Sequence, residues 1–210
     1  MKRLWFFRHS KRGGPGDTLS AEGLALAAAV GAWIYGAEPN KFRPNKIFTG
    51  VLARTVQTAL GFMRGYTNRG HDILGFPETM PAIFEFGTDE LFAEMVAPDG
   101  FREKAKVLGN YYALFELHDV DILRGWTGHC ASGIRRAFDM LEDGECGVAF
   151  GHSPCIELAV AGILESTSST DMPVEFTALS EMQSILLEQD DFGIIRPVRK
   201  IAMPAVEPTA

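Results

Sequence analysis

The chain has 210 residues, of which 46% are hydrophobic, and it carries a formal net charge of −7. This length fits one globular domain, and the hydrophobic fraction supplies a sizeable core, which excludes a disordered chain. An acidic chain without a long basic stripe is a poor nucleic-acid binder, and its short apolar runs predict no membrane helix. We therefore expect neither nucleic acid nor membrane as a partner.

The N-terminus and the cysteines indicate the compartment. Only four apolar residues stand between Arg3 and Arg8, which is too few for the core of a signal peptide. The three cysteines include no Cys-x-x-Cys pair, so they predict neither a disulfide framework nor a zinc site. We expect a cytoplasmic protein.

The first half of the chain predicts two strands and two helices. Residues 2–7 read as a buried strand, and a glycine-rich turn follows it. Ser20 is the expected N-cap of a helix that runs to Gly36. Residues 45–49 read as a second strand and 51–66 as a second helix. The apolar spacing predicts that the second helix buries one face, made of Leu52, Val56, Ala59, Leu60 and Met63.

The second half predicts further strands and helices. Three more strands and a tail are expected, the last two strands joined by a turn at Asp190 and Asp191. The strands are at 80–86, 145–152 and within 184–198, the helices at 89–95, 100–117, 127–141 and 154–164, and the loose tail at 202–210.

Strands that alternate with helices predict an α/β fold, a three-layer α/β/α sandwich around a mostly parallel mixed sheet. In such folds ligands bind at the carboxyl ends of the strands. His9 and His152 each follow directly on a predicted strand, and each is followed by serine. We therefore expect the two His-Ser pairs to meet at one edge of the sheet.

Three segments, in order, resemble the motifs of the histidine phosphatase superfamily, the phosphoglycerate-mutase-like proteins. Arg8-His9 followed by Leu19–Gly23 is similar to its Arg-His-Gly and Leu-Thr-x-x-Gly elements. Residues 49–59, TGVLARTVQTA, resemble its Ser-x-x-x-x-Arg-Thr-x-Gln-Thr-Ala element, and GVAFGHS, 147–153, resembles its late strand ending in histidine. Ser10 stands where the family usually has glycine, and Gly50 where proline is common.

The resemblance implies a role for each matching residue. His9 is the expected nucleophile, which forms a phosphohistidine intermediate. Arg8 and Arg54 bind the phosphoryl group, since a guanidinium donates two parallel bonds and stays charged. His152 is a third donor, and Ser10 is a possible further one, as is Thr49. No metal or other cofactor is expected, because the arginines meet the phosphate charge.

The general acid is the least determined role. In the family this carboxylic acid follows the third strand. Glu85, at the end of the predicted strand beside Gly87, is favoured, with Asp89 and Glu90 close behind it. Asp17, in the first loop, is the runner-up.

The resemblance also predicts the domain organisation: one domain over residues 1–201, with 86–128 as a helical segment that caps the pocket and determines the substrate. The implied function is a metal-independent phosphatase acting on a phosphomonoester or a protein phosphohistidine. A phosphoglycerate-type mutase and a non-catalytic phosphate-binding protein are the alternatives. The aromatic and acidic residues of the cap favour a modest-sized, partly apolar substrate over a bulky polyanion. The oligomeric state is not predicted.

Other nucleophilic and imidazole side chains are assigned no role in the chemistry. Cys155 lies three residues after His152 and could suggest a thiol hydrolase, but its place in an apolar helix predicts a packed thiol. His71 lies in a polar turn, whereas His118 and His129 lie in the helical middle of the chain.

Overall fold

The computed structural model describes residues 1–13, 15–37, 43–67, 77–79, 95–165 and 172–201. Within these ranges, strands and helices largely alternate, as the sequence predicts. The strands are β1 Lys2–Arg8, β2 Pro44–Thr49, β3 Glu78–Thr79, β4 Cys146–Gly151, β5 Ser184–Gln189 and β6 Ile195–Ile201; the α-helices are α1 Ala21–Ala37, α2 Ala53–Thr67, α3 Phe101–Leu108, α4 Asn110–Leu117, α5 Val120–Asp139 and α6 Cys155–Ile163.

The strands form one sheet in the order β3-β2-β4-β1-β5-β6. β1 and β2 both pair in parallel with β4, and β3 pairs in parallel with β2. β5 runs antiparallel to β1 and to β6. The sheet is therefore mixed and mostly parallel, as predicted, and β1 and β4 lie side by side at its centre.

Alternate residues of the central strands pack into two separate hydrophobic cores, because successive side chains of a strand point to opposite faces. Trp5 and Phe7 pack with the side chains of α1 and α2. Leu4 and Phe6 pack with the helices of the second half of the chain, including α5 and α6. The sheet thus lies between two helical layers, which confirms the three-layer α/β/α sandwich. No helix in the described ranges is long and apolar enough to cross a membrane.

The buried face of α2 differs from the predicted one. Leu60 was expected in the core, but 46% of its surface is exposed, whereas Thr55 and Thr58 are fully buried. Thr55 Oγ1 donates to Leu52 O at 2.8 Å, and Thr58 Oγ1 donates to Arg54 O at 2.7 Å. Because these bonds satisfy the hydroxyl groups, the threonines can be buried, and the helix is rotated relative to the apolar pattern.

The middle of the chain also departs from the predicted boundaries. The helix expected over 100–117 is two helices, separated at Gly109, whose φ of 86° lies in the left-handed region. The helix expected from 127 begins at Val120, where the Asp119 side chain accepts from Asp121 N at 2.8 Å. The predicted strand at 80–86 and the tail at 202–210 lie outside the described residues.

Candidate active site

The carboxyl ends of β1 and β4 carry the two His-Ser pairs to one edge of the sheet. Arg8 is in register with Gly151, and the His9 backbone N–H donates to Gly151 O at 2.7 Å. His9 and His152 are therefore the first residues beyond two adjacent strands. Each is buried, with 5% of its surface exposed. The sheet brings together two imidazoles that are distant in sequence.

The His9 ring is held by the backbone that follows it. Nδ1 lies 2.6 Å from Ser10 O, and a carbonyl can only accept, so Nδ1 carries the proton when the ring is neutral. Burial lowers the pKa of His9 to about 4; the bond to Ser10 O opposes this, and the charges of Arg54, Arg8 and Arg12 add to it. At neutral pH His9 is therefore uncharged, with a lone pair on Nε2.

Arg8 is fixed by a turn that precedes β5. Its backbone N–H donates to Gln183 O at 2.9 Å, and its carbonyl accepts from Met182 N at 3.1 Å. Nη1 of its guanidinium donates to Leu179 O. Nη2 lies 3.9 Å from a carboxylate oxygen of Glu181, which is partly exposed. The turn thus sets the direction of the guanidinium beside the His9 ring.

Arg54, at the start of α2, comes close to His9 from the neighbouring layer. Nη1 donates to Asp17 Oδ2, and 11% of the arginine side chain is exposed. Arg12 donates to the other oxygen of Asp17 at 3.3 Å. Asp17, at a φ of 63°, therefore bridges two guanidiniums. The loop after β1 brings a third cation to the site, beyond the two that the motifs predict.

The segment after His9 is tied to α1 and α2. Ser10 N donates to Thr58 Oγ1 at 3.0 Å, and Ser10 Oγ donates to Gly23 O at 2.7 Å. At Gly23 any Cβ would lie 2.2 Å from Lys11 O, so only glycine allows this close approach. The hydroxyl of Ser10 is thus engaged with α1, and its phosphate contact stays a prediction. The same holds for Thr49, whose Oγ1 donates to Gly50 O at 3.1 Å.

His152 has a sulfur neighbour. Its Nε2 lies 3.3 Å from Cys155 Sγ. Cys155 is fully buried, and burial raises its pKa well above the ordinary value, against the opposing effect of His152. A thiol that stays protonated is a poor nucleophile. The structure therefore confirms the packed thiol and gives His152 an uncharged partner.

The sequence reasoning missed several residues around this site. Glu157 is buried in α6 and accepts from Leu179 N at 3.3 Å. Asn110, in the predicted cap, donates from Nδ2 to Ser153 Oγ at 3.1 Å and so joins the middle of the chain to the residue after His152. A signal for Glu157 was present, because it is the one charge in the apolar segment PCIELAVAGIL. Asn110 and Leu179 have no such signal, since they reach the site only through the tertiary fold.

The carboxylates favoured as general acid, Glu85, Asp89 and Glu90, lie outside the described residues, as does His71. His118 Nε2 lies 2.7 Å from Met95 O, and His129 is exposed on α5, so neither joins the site. Within the described ranges, no group of three or more histidine, cysteine or acidic residues could hold a metal ion.

Comparison with known proteins identifies solved structures that share the fold. No protein-family model and no curated protein sequence matches the chain. Solved structures do: a phosphoserine phosphatase from Entamoeba histolytica, in complex with 3-phosphoglyceric acid, superposes with a TM-score of 0.61 at 14% identity, over 97% of this chain and 98% of that one.

Two further structures extend the range of activities. The protein histidine phosphatase SixA, complexed with tungstate, gives a TM-score of 0.53 at 12% identity, over 95% of this chain and 96% of that one. A phosphoglycerate mutase from Plasmodium falciparum gives 0.52 at 12% identity, over 100% and 98%. These superpositions, at 12–14% identity, show the fold alone: the chain has the phosphoglycerate-mutase-like fold that its motifs predict.

Proposed function

We propose that the protein is a metal-independent phosphatase that hydrolyses a phosphomonoester or a protein phosphohistidine through a covalent intermediate on His9. The observation that carries the proposal is the state of His9: a neutral ring, with its Nδ1 proton on Ser10 O, close enough to Arg8 and Arg54 for both charges to lower its pKa. A neutral imidazole beside fixed cations is what transfer of an anionic phosphoryl group requires.

In the first step Nε2 of His9 attacks phosphorus in line with the leaving oxygen. A P–N bond forms as the P–O bond breaks, and the charge on the three equatorial oxygens faces Arg8, Arg54 and His152. The positive charge that develops on the ring is stabilised through the bond from Nδ1 to Ser10 O. In the second step water attacks phosphorus and gives a proton to the carboxylate that protonated the leaving oxygen, while the P–N bond breaks and inorganic phosphate leaves.

The leaving oxygen needs a proton, and we assign this role to Glu85. Asp17 is a poorer candidate, because a carboxylate between Arg12 and Arg54 is favoured as the anion. Glu85→Gln should therefore lose activity toward alkyl phosphates while keeping most of it toward an aryl phosphate, whose leaving group needs no proton. A larger selective loss in Asp17→Asn than in Glu85→Gln would reverse the assignment.

The substrate class is taken from chemistry and from the solved structures of similar fold. Those structures include a phosphoserine phosphatase and a protein histidine phosphatase. Both activities fit a site that binds one phosphoryl group with two arginines. A mutase would return the phosphoryl group to its substrate, and so would give an isomerised phosphoglycerate in place of inorganic phosphate.

The deciding experiment is a screen of phosphorylated metabolites and of a phosphohistidine peptide, with His9→Ala as the control. We expect phosphate release that is insensitive to a chelator, and a phosphoenzyme that is labile in acid and stable in base, as a phosphoramidate is. Mass spectrometry should place it on the peptide that contains His9. Turnover without that intermediate, or its presence in His9→Ala, would overturn the proposal.

A further inference from the structure

Glu157 is a buried acid that the proposed chemistry does not use. It lies on α6 with 1% of its surface exposed, within a helix that is otherwise apolar over residues 155–161. Burying a carboxyl group costs free energy unless it is hydrogen-bonded or paired with a charge. Its position therefore requires a compensating contact, and the contacts that it makes lead to Arg8.

The backbone of Leu179 connects the two residues. Glu157 Oε1 accepts from Leu179 N at 3.3 Å, while Leu179 O accepts from Arg8 Nη1. Burial raises the pKa of Glu157, and the nearby Ser153 side chain and Arg8 charge are among the effects that lower it again. The backbone of Leu179 is thus held on one side of its Cα, at the N–H, by the acid and on the other side, at the carbonyl, by the arginine.

We propose that Glu157 is a positioning residue for Arg8, which acts by holding the backbone of Leu179 so that its carbonyl fixes the guanidinium. The proposal rests on the proposed function, in which Arg8 binds the phosphoryl group. Ser153 directly follows His152, so Glu157 lies behind both strand ends that carry the site. It reaches no substrate, because it is fully enclosed by protein.

The mechanism follows from the geometry of an arginine. Its planar fork binds phosphate well only when its direction is fixed, and the Leu179 carbonyl supplies one fixed point. Without an acceptor at position 157, Leu179 N–H would be left unsatisfied in the interior. The backbone at Leu179 would then shift, and the carbonyl that orients Arg8 would shift with it.

Two variants separate the effect of side-chain length at position 157 from the effect of its charge. Glu157→Gln keeps an oxygen that can accept from Leu179 N and removes the charge, whereas Glu157→Asp keeps the charge and shortens the side chain by one methylene. We expect E157Q to bind tungstate within about threefold of the parent and E157D to bind it roughly tenfold or more weakly, with a matching loss in kcat/KM. Equal losses in both variants would overturn the proposal.

A control variant tests whether a loss of protein stability alone weakens tungstate binding. Leu158→Ala, at the next residue of α6 and also fully buried, is the matched control: it should lower Tm and leave tungstate affinity unchanged. In an Arg8→Ala background, E157D should cause no further loss, because its effect passes through Arg8. A full further loss in that background would contradict the proposal. Should E157D fail to fold, Glu157→Met, whose thioether sulfur is only a weak acceptor, replaces it.

A readout independent of phosphate keeps this inference distinct from the proposed function. Arg8 Nε is buried, so its N–H should exchange slowly with water and give an NMR signal, assigned by its absence in Arg8→Lys. We expect E157D to speed this exchange and E157Q to leave it nearly unchanged. An unchanged exchange rate of this signal in E157D would contradict the positioning role, even if the enzyme is a phosphatase. A wild-type protein that binds no tungstate and turns over no substrate would instead count against the function.

Discussion

The two His-Ser pairs occupy equivalent positions on adjacent strands, yet their surroundings differ. His9 is held by a carbonyl oxygen and is influenced by three arginine charges. His152 lies against a protonated thiol, and Asn110 reaches the serine that follows it. One imidazole faces charge and the other faces an uncharged, tightly packed neighbour.

This difference assigns different tasks to identical dipeptides. Burial, and with it the nearby cations, keeps the His9 ring neutral and able to attack an anion, since both disfavour a positive charge on the ring. His152 has the buried thiol of Cys155 beside its Nε2, and in the proposed mechanism its ring donates a hydrogen bond to the phosphoryl group. The residue type therefore does not determine the role; the groups that the fold packs around it do.

The largest test of this comparison removes each ring in turn. His9→Ala should reduce kcat by about 10⁴-fold or more, because the nucleophile is gone. His152→Ala should reduce it by roughly 10²- to 10³-fold, the usual effect of losing one donor to the transition state. Steady-state kinetics on an aryl phosphate measures both. His129→Ala, on the exposed side of α5, should have the kcat of the parent. Equal losses of kcat in His9→Ala and His152→Ala would contradict the different roles of the two histidines.

The second test uses the titration of His9. The ordinary pKa of 6.5 applies to the unfolded chain and about 4 to the folded one, so below pH 6.5 the unfolded state binds more protons. Above pH 6.5 the titration of His9 does not reduce the free energy of unfolding. As the pH drops from 6.5 to about 4, it reduces this free energy by up to about 3 kcal/mol. Urea unfolding of the parent and His9→Ala at pH 7, 6, 5 and 4.5 should show the steeper loss in the parent. Parallel curves would mean that burial and the three arginines do not lower the pKa of His9.

The smallest test concerns the sulfur next to His152. Cys155→Ala removes the partner of Nε2 and leaves a small cavity, so kcat/KM should fall by about three- to tenfold with the nucleophile intact. Cys146→Ala is the matched control, because that buried thiol lies at the opposite end of β4. A comparable kinetic loss in both variants would mean that the effect is one of packing and not of contact with His152.

Local patterns predicted the elements near the site well. The apolar run of β1 and the N-cap at Ser20, whose hydroxyl accepts from Gly23 N at 3.0 Å, both follow from interactions within a few residues. The face of α2 was wrong because Thr55 and Thr58 are buried through hydrogen bonds that no hydropathy pattern encodes. The break at Gly109 was missed, since an isolated glycine does not by itself end a helix.

By itself the sequence determined the α/β order, the placement of His9 and His152 at strand ends, and the motif that sets Arg54 at the start of a helix. These features depend on periodicity and on residues close in the chain. Only the tertiary structure decided that Asp17 bridges Arg12 and Arg54, that a thiol lies against His152, and that Glu157 and Arg8 both bind the backbone of Leu179. Such contacts join segments far apart in sequence, and their formation depends on the packing of the whole sheet and its two helical layers.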